Sequence, residues 1–426
     1  MKVLHINTLD FFGGAAKAMF RLHTALTAAG VDSGIAAGFV AKKGRRVYSV
    51  PEEAAKFENA FQRYLDKISR PIDMFLGLAH MLYPGSFYLR DAEIFKEADV
   101  INLHNLHSNY FNYTALPAWT KDKPVVWTLH DMWPLTGHCS YSYECSRWAS
   151  GCFKCPLLRG GIKNLRRSEP RPVAIDFSKI TWRIKRDTYK KSLLNIACPS
   201  EWMCQQAKKG ILSGSAGFAV IPNGVDIDLF KPQDKIEARK QLGLPQEDFI
   251  LLFPSESTSQ YRKGFQYLVS AIKSLDIPVS LMVFGRKGVP ADLRQACRIL
   301  ETGYIDSDEL SARYYAASDL IVAPTLADNQ PLVIVEAFAC GIPVVAFDAG
   351  GVGEMVRHMQ TGYKAVYKDV KDLANGIKIL HNDKALYSRL SAACRSAAVN
   401  KYSLRMQADR YISFYKESID RHAKLS

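Results

Sequence analysis

IVAPTLADNQPLVIVEAFACGIPVVAFDAGGVGE, residues 321–354, is the stretch whose reading decides the fold. Ile321, Val322 and Ala323 form a short apolar run closed by Pro324-Thr325, as a buried strand ends before a loop. The loop Leu326 to Gln330 leads to Pro331, placed as a first helical residue whose missing N–H costs nothing there. An apolar helix follows to about Cys340, and Gly341 ends it. Val344 to Phe347 reads as the next buried strand, and Gly350-Gly351-Val352-Gly353 turns toward another helix near Glu354. Unbroken apolar strands alternating with helices predict an α/β fold with parallel sheets covered on both faces.

Two acids interrupt this apolar stretch. The helical neighbours of Glu336 at three and four positions are Leu332, Val333, Ala339 and Cys340, so its own face is apolar. A carboxylate held there requires donors or a ligand. The alternative is a partly exposed Glu on a short surface helix. Asp328 sits in the preceding loop, and the free N–H groups at the helix start, with the helix dipole, attract a phosphate.

The chain has 426 residues, long enough for two domains. With 48% hydrophobic and 11% aromatic residues it can fill packed cores, and its formal charge of +14 favours acidic partners. Nucleotide phosphates and anionic lipid surfaces suit that charge; nucleic acid is not expected, because no aromatic-and-glycine RNA signature or basic recognition helix stands out. Met1 to Ile6 begins directly as a strand and no stretch is long and apolar enough to span a bilayer, so a cytoplasmic protein is expected, peripheral on the inner face of the membrane if it meets lipid. Nine cysteines, an odd number in a long chain, argue against a secreted disulfide framework.

Earlier in the chain, Val3 to Ile6 predicts a strand, and the loop ending in Gly13-Gly14 opens a helix from about Ala15 to Ala29. Paired glycines let backbone amides approach an anion, although an ordinary tight turn reads the same way. Ser33 to Phe39 is a second strand. From Pro51 to Arg90, the bases Lys56, Arg63, Lys67 and Arg70 precede an apolar run from Ile72 to Leu82, which suits either a lipid surface or two packed helices. Strands at Val100 to Leu103 and Pro124 to Leu129 end in His104 and in His130-Asp131, as residues on one rim of a parallel sheet would.

Cys139, Cys145, Cys152 and Cys155 then cluster in one loop. The closing Cys-x2-Cys has metal-ligand spacing, which leaves a structural zinc and four reduced thiols as equal readings. A basic run from Lys163 to Lys191 follows, then a strand at Leu193 to Ala197, a Ser200 helix cap, and a turn-rich Val220 to Asp226 where the chain can change domains. Strands at Phe249 to Phe253, Val279 to Phe284, Gly303 to Ile305, Leu320 to Ala323 and Val344 to Phe347 continue the rhythm. Arg262 and Lys263 stand at a helix entrance, and the chain after Asp369 is helical.

Taken in order, Gly13-Gly14, Thr128-Leu129-His130-Asp131, Pro199-Ser200, Ile221 to Asp226, Lys263-Gly264, Phe284-Gly285, Gly303-Tyr304-Ile305 and residues 321–354 resemble the retaining glycosyltransferases of glycosyltransferase family 4. That resemblance implies a GT-B architecture of two facing Rossmann-like domains: 1–222, with 403–426 crossing back so that a C-terminal helix packs on it, and 223–402 for the nucleotide sugar. It also implies transfer, without a catalytic metal, from a UDP- or GDP-sugar to a glycan or lipid-linked acceptor.

Position by position, Glu336 is similar to the family's ribose-binding acid, and Asp328 stands where a Glu usually meets the sugar. Lys263 matches the diphosphate-neutralising base; the family's upstream Arg falls on Ser257, with Arg262 as compensating cation. Amides of Gly14, Leu332 and Val333 complete the phosphate cradle, Ile305 meets the base through its main chain, and His130 lies near the sugar. Two other readings keep the same fold: a nucleotide-sugar epimerase, and a non-catalytic glycan-binding derivative.

Overall fold

The first sheet contains β1 (Lys2–Leu9), β2 (Asp32–Phe39), β3 (Val47–Ser49), β4 (Val100–Leu103), β5 (Val125–Thr128), β6 (Leu194–Cys198) and β7 (Gly217–Val220). Their order is β3-β2-β1-β4-β5-β6-β7, with every pairing parallel. The second contains β8 (Ile250–Phe253), β9 (Ser280–Phe284), β10 (Arg298–Gly303), β11 (Leu320–Ala323), β12 (Val344–Phe347) and β13 (Gly362–Ala365). It runs β10-β9-β8-β11-β12-β13, again parallel throughout. Parallel neighbours require crossovers, and these place helices over the sheet faces. Accordingly β4, β5, β6, β8, β11 and β12 are buried at every position. Strand order reverses at β1/β4 and again at β8/β11, the points where such sheets open a crevice at their carboxyl ends.

This computed structural model describes residues 1–425 except 42–43, 45, 59–61, 63, 65–67, 69–80, 82, 109, 159–174, 256–257, 286–288, 304 and 306. One unit runs to Asn223 and takes up the chain again from Arg405; the other is Gly224–Leu404. Most of the basic-then-apolar stretch after Pro51, the run from Lys163 to Arg171, and Ser257 lie outside the described residues. Among those described, no helix is long and apolar enough to cross a membrane.

Several expectations need correction. The strand expected at Gly303 to Ile305 is β10, Arg298–Gly303; Gly303 closes it with φ +75° while accepting a bond from the Gly285 N–H. Pro331 is not the first helical residue. Its ψ of 127° is extended, so it caps a helix that spans Leu332–Ala339. The strands β3, β7 and β13 went unread, being short and at or beside sheet edges where a continuous apolar run is not required. The Ser200 cap is as expected, its Oγ accepting the Met203 N–H at 3.0 Å.

The C-terminal helix Leu404–Leu425 packs on the first unit, and its polar contacts explain an oddity of the sequence. Three fully buried strands carry polar residues: Asn102 on β4, Thr128 on β5 and Asn195 on β6. Asn102 Nδ2 donates to the Tyr415 hydroxyl at 2.6 Å, Thr128 Oγ1 meets the Tyr411 hydroxyl at 3.0 Å, and Arg421 donates to Asn195 Oδ1 at 2.8 Å. Both tyrosine rings are buried, so the helix satisfies the polar row and fills the layer above it. Asn102→Ala, which leaves the Tyr415 hydroxyl without its donor, is expected to destabilise the protein by about 1–3 kcal/mol, measured as a lower urea midpoint with unchanged slope.

Candidate functional site

In the second unit, β8 and β11 are neighbours, so the segments that leave their carboxyl ends run side by side. After β8 the chain makes a turn at Tyr261–Lys263 and enters the helix Phe265–Lys273 through Gly264. Only glycine suits that position. Its φ is +72°, and a Cβ there would lie 1.8 Å from the Pro324 carbonyl oxygen that follows β11. The two segments are then sewn together: the Leu326 N–H donates to the Arg262 carbonyl at 2.7 Å, and Thr325 Oγ1 donates to the same oxygen at 3.0 Å.

Asp328 closes the arrangement. Its Oδ2 accepts from Arg262 Nη1 at 2.7 Å and from Lys263 Nζ at 2.8 Å. Burial would raise this carboxyl's pKa, but Lys263 and Arg262 outweigh it and hold the group well below the usual carboxylate range. Lys263 and Asp328 line a small open recess together with Phe253, Pro254, Ser255, Thr325, Pro331 and Val333. The helix that begins there has no side-chain cap, so the Leu332 and Val333 N–H groups start it unshielded by any acid. Glu336 stands on the same helix, buried, with Oε2 accepting from the Tyr315 hydroxyl at 2.9 Å; it is not among the residues lining the recess.

In the first unit, adjacency of β1, β4 and β5 assembles a row of imidazoles: the sequence placed His104 and His130 on one rim, and the structure adds His5. His5 Nδ1 lies 3.0 Å from His104 Nε2, and His104 Nδ1 lies 2.8 Å from His130 Nε2. Burial keeps all three neutral: the pKa of His5 falls to about 3, that of His104 well below its ordinary value, and that of His130 to about 4. The signal was a histidine at position 5 in an otherwise apolar strand, whose partner becomes visible only with the strand register.

A neutral row of this kind has a direction, because each bond needs one N–H and one bare nitrogen. His5 Nε2 is buried with no partner. A buried N–H without an acceptor is the costlier end to leave, so His5 carries its proton on Nδ1 and donates to His104. His104 in turn donates to His130 Nε2, and His130 is protonated at Nδ1. Beside it, Asp131 Oδ1 accepts the Trp133 N–H at 2.8 Å, and Oδ2 lies 3.4 Å from His107 Nε2.

The other candidates lie apart from these two groups. The helix Gly14–Ala28 starts at Gly13, which has φ +87° and supplies no side-chain cap, and a Cβ on either Gly13 or Gly14 would meet nothing within 4 Å. Ile305 is half-buried just past β10. Cys139, Cys145, Cys152 and Cys155 are free thiols in the loop after β5. Among the described residues no group of three or more His, Cys, Asp or Glu side chains is arranged to hold a metal ion.

Comparison with known proteins agrees with this architecture. Residues 12–229 match the family model described as Glycosyltransferase Family 4, and residues 248–383 match Glycosyl transferases group 1. A putative colanic acid biosynthesis glycosyl transferase, WcaC of Escherichia coli K12, is 24% identical over 331 residues, covering 74% of this chain and 76% of that protein. D-inositol 3-phosphate glycosyltransferase 1 of Catenulispora acidiphila is 32% identical over 215 residues, 46% of this chain; the chain spans about half (51%) of that relative's length. Among solved structures, sucrose-phosphate synthase from Thermosynechococcus elongatus superposes with a TM-score of 0.65 at 17% identity, covering 98% of this chain and 99% of that one. HepE of Anabaena, solved with UDP-glucose, gives 0.63 at 18% identity, covering 98% and 100%. At such identities the likeness is one of fold.

The imidazole row makes two measurable demands. Nitrogen-15 NMR at neutral pH is expected to find His130 protonated at Nδ1; protonation at Nε2 would reverse the direction derived above. The folded-state pKa values lie below the unfolded value of about 6.5, so the unfolded chain binds more protons between roughly pH 6.5 and 4. Stability is therefore fully present above that window and is lost as pH falls through it, by roughly 1.4 kcal/mol for each unit of displaced pKa. Equilibrium denaturation at pH 7, 6, 5 and 4 reads the slope, and His5→Phe is expected to make it shallower.

Proposed function

This chain belongs to glycosyltransferase family 4, and we propose that it moves a sugar from a nucleoside diphosphate sugar to a glycan or lipid-linked acceptor, using the recess between β8 and β11 for the donor diphosphate. The observation that carries this reading is the meeting of Lys263 and an uncapped helix start at one opening, with Arg262 bound to the same Asp328 that Lys263 holds. Both cations are held by Asp328, next to a helix start whose N–H groups and dipole favour an anion. Negative charge grows on the leaving diphosphate as the glycosidic bond breaks. Fixed cations and amides bind that charge more strongly in the transition state than before it, which is the condition for catalysis.

Within this reading Lys263 and Arg262 neutralise the diphosphate with the amides of Leu332 and Val333, and the amides of Gly13 and Gly14 are the first unit's own candidates for an anion. Glu336 receives the ribose hydroxyls once its face is exposed, Ile305 meets the base through its main chain, and His130 orients the sugar through a neutral N–H. Asp328 takes a second task beside the sugar contact, that of aligning the two cations. No catalytic metal is called for, because these groups already supply the positive charge, and the configuration at the anomeric carbon is retained by same-face attack. UDP is the first nucleotide to try, since HepE, a structural neighbour, was solved with UDP-glucose. The formal charge of +14 suits an acceptor presented at an anionic membrane surface.

Turnover of a panel of UDP- and GDP-sugars tests the assignment. Lys263→Ala is expected to lower transfer by about 10²–10³-fold, the usual effect of losing one fixed donor to a developing anion, and to lower the melting temperature as well, because Asp328 keeps only Arg262. Glu336→Gln is expected to raise the KM for the donor. Unchanged kinetics in both variants would refute the site. Incubating donor without acceptor distinguishes an epimerase, which converts it, and calorimetry distinguishes a non-catalytic binder, which takes up donor without transfer to any glycan.

A further inference from the structure

The carboxyl rim of the first sheet carries a pair of side chains that the row of three imidazoles does not use. β4 and β5 are neighbours, so the segments that leave their carboxyl ends meet, and they bring His107 and Asp131 together. Asp131 Oδ2 lies 3.4 Å from His107 Nε2; the Asp131 side chain is 8% exposed and that of His107 is 26% exposed. A buried carboxylate therefore stands behind an imidazole that reaches the surface.

Both partners are held in place from several sides. Asp131 Oδ1 accepts the Trp133 N–H at 2.8 Å, which leaves Oδ2 for the imidazole. The turn that presents this N–H is pinned by Lys185 from the helix Ser178–Tyr189. Its buried Nζ donates to the carbonyls of Trp133 and Thr136 at 2.6 and 2.9 Å and sits 3.4 Å from the centre of the Trp133 ring. The His107 carbonyl accepts from Thr8 Oγ1 of β1 at 2.9 Å, and its ring packs edge-on against Trp133 with centroids 6.0 Å apart. A strand, a turn and a helix converge on the placement of one partly exposed ring.

The carboxylate also selects the tautomer of that ring. His107 Nε2 is buried and meets no other hydrogen-bond partner. A bare Nε2 would set its lone pair against the Asp131 oxygen, so the neutral ring carries its proton on Nε2 and leaves Nδ1 bare. Nδ1 is on the exposed side, 3.3 Å from Ser108 Oγ, a long contact that a ligand can replace. Ser108 itself has φ +83°, a costly conformation of the kind that gathers at ligand sites.

We propose that His107 Nδ1 receives a hydroxyl of the acceptor sugar, with Asp131 as the positioning residue that keeps the ring's proton on the other nitrogen. A bare nitrogen takes only donors. A sugar hydroxyl brings one, whereas a deprotonated phosphate brings acceptors alone and has no partner here. A hydroxyl that donates to Nδ1 keeps its oxygen lone pairs for the anomeric carbon. That last role rests on the glycosyl-transfer reading; the tautomer and the binding do not.

Nitrogen-15 NMR of the full-length protein at neutral pH tests this, with His107 assigned by the signal lost in His107→Phe, or in His107→Gln if the first variant does not fold. The probes are the methyl glycosides of glucose, galactose and mannose, with inorganic pyrophosphate as the contrasting anion. The expected spectrum has His107 protonated at Nε2, and its bare Nδ1 signal moves upfield with at least one glycoside and stays put with pyrophosphate. In Asp131→Asn the amide NH2 takes the place of Oδ2, donates to Nε2 and sends the proton to Nδ1, which abolishes the glycoside shift. Once a donor and acceptor are in hand, both His107→Phe and Asp131→Asn are expected to raise the acceptor KM by about five- to tenfold, the effect of one lost hydrogen bond, with the donor KM changed by less than about twofold. Protonation of wild-type His107 at Nδ1 or at both nitrogens, a shift with pyrophosphate in place of the glycosides, or no response to any glycoside would each overturn the proposal. Absent donor turnover with these spectra intact would strike the transfer reading and leave the hydroxyl site; intact turnover with an acceptor KM unmoved in both variants would strike the site alone.

Discussion

The second unit depends on one buried carboxylate. Asp328 accepts from Arg262 and Lys263 together, at 2.7 and 2.8 Å, and so fixes the loop after β11 against the turn after β8. Without a partner that carboxylate could not remain charged in its surroundings; without it the two cations would repel each other at the mouth of the recess. The close approach of Gly264 to the Pro324 carbonyl sets the same contact from the backbone side. One cluster thereby decides where the opening lies and which two cations stand beside it.

The sequence showed much of the fold because parallel strands buried on both faces must be apolar throughout, and β4, β5, β6, β8, β11 and β12 obey that requirement. It failed where the requirement lapses. β3 pairs only with β2, β7 is half-exposed, and β13 reads Gly-Tyr-Lys-Ala, none of which imposes an apolar run. At Pro331 the expected role was wrong because fixed φ suits both a cap and a first helical residue, and only ψ distinguishes them. Lys263, Asp328 and Glu336 could be singled out locally, as charges in apolar settings. Their partners could not: the bond from Tyr315 to Glu336 and the pairing of Asp328 with both cations follow from helix and strand placement, not from spacing along the chain.

Buried polar groups in the first unit divide into two rows with different consequences. Asn102, Thr128 and Asn195 are satisfied by the C-terminal helix, so their cost is met by partners supplied from the far end of the chain. His5, His104 and His130 instead satisfy one another, and the row ends at a nitrogen with no partner inside. A network that is complete in itself rigidifies its members; one with a bare inner end transmits a preference outward through the order of its donors and acceptors.

This difference bears on how charge is distributed in the proposed reaction. A protonated His130 would be a cation that draws anions to itself, whereas a neutral imidazole can orient a hydroxyl without doing so. Desolvation at His130 outweighs the pull of Asp131 and makes the neutral form the stable one at physiological pH. In the second unit Asp328 holds Arg262 and Lys263 in place. Burial selects a neutral dipole in one unit, and in the other a buried carboxylate fixes the position of two cations.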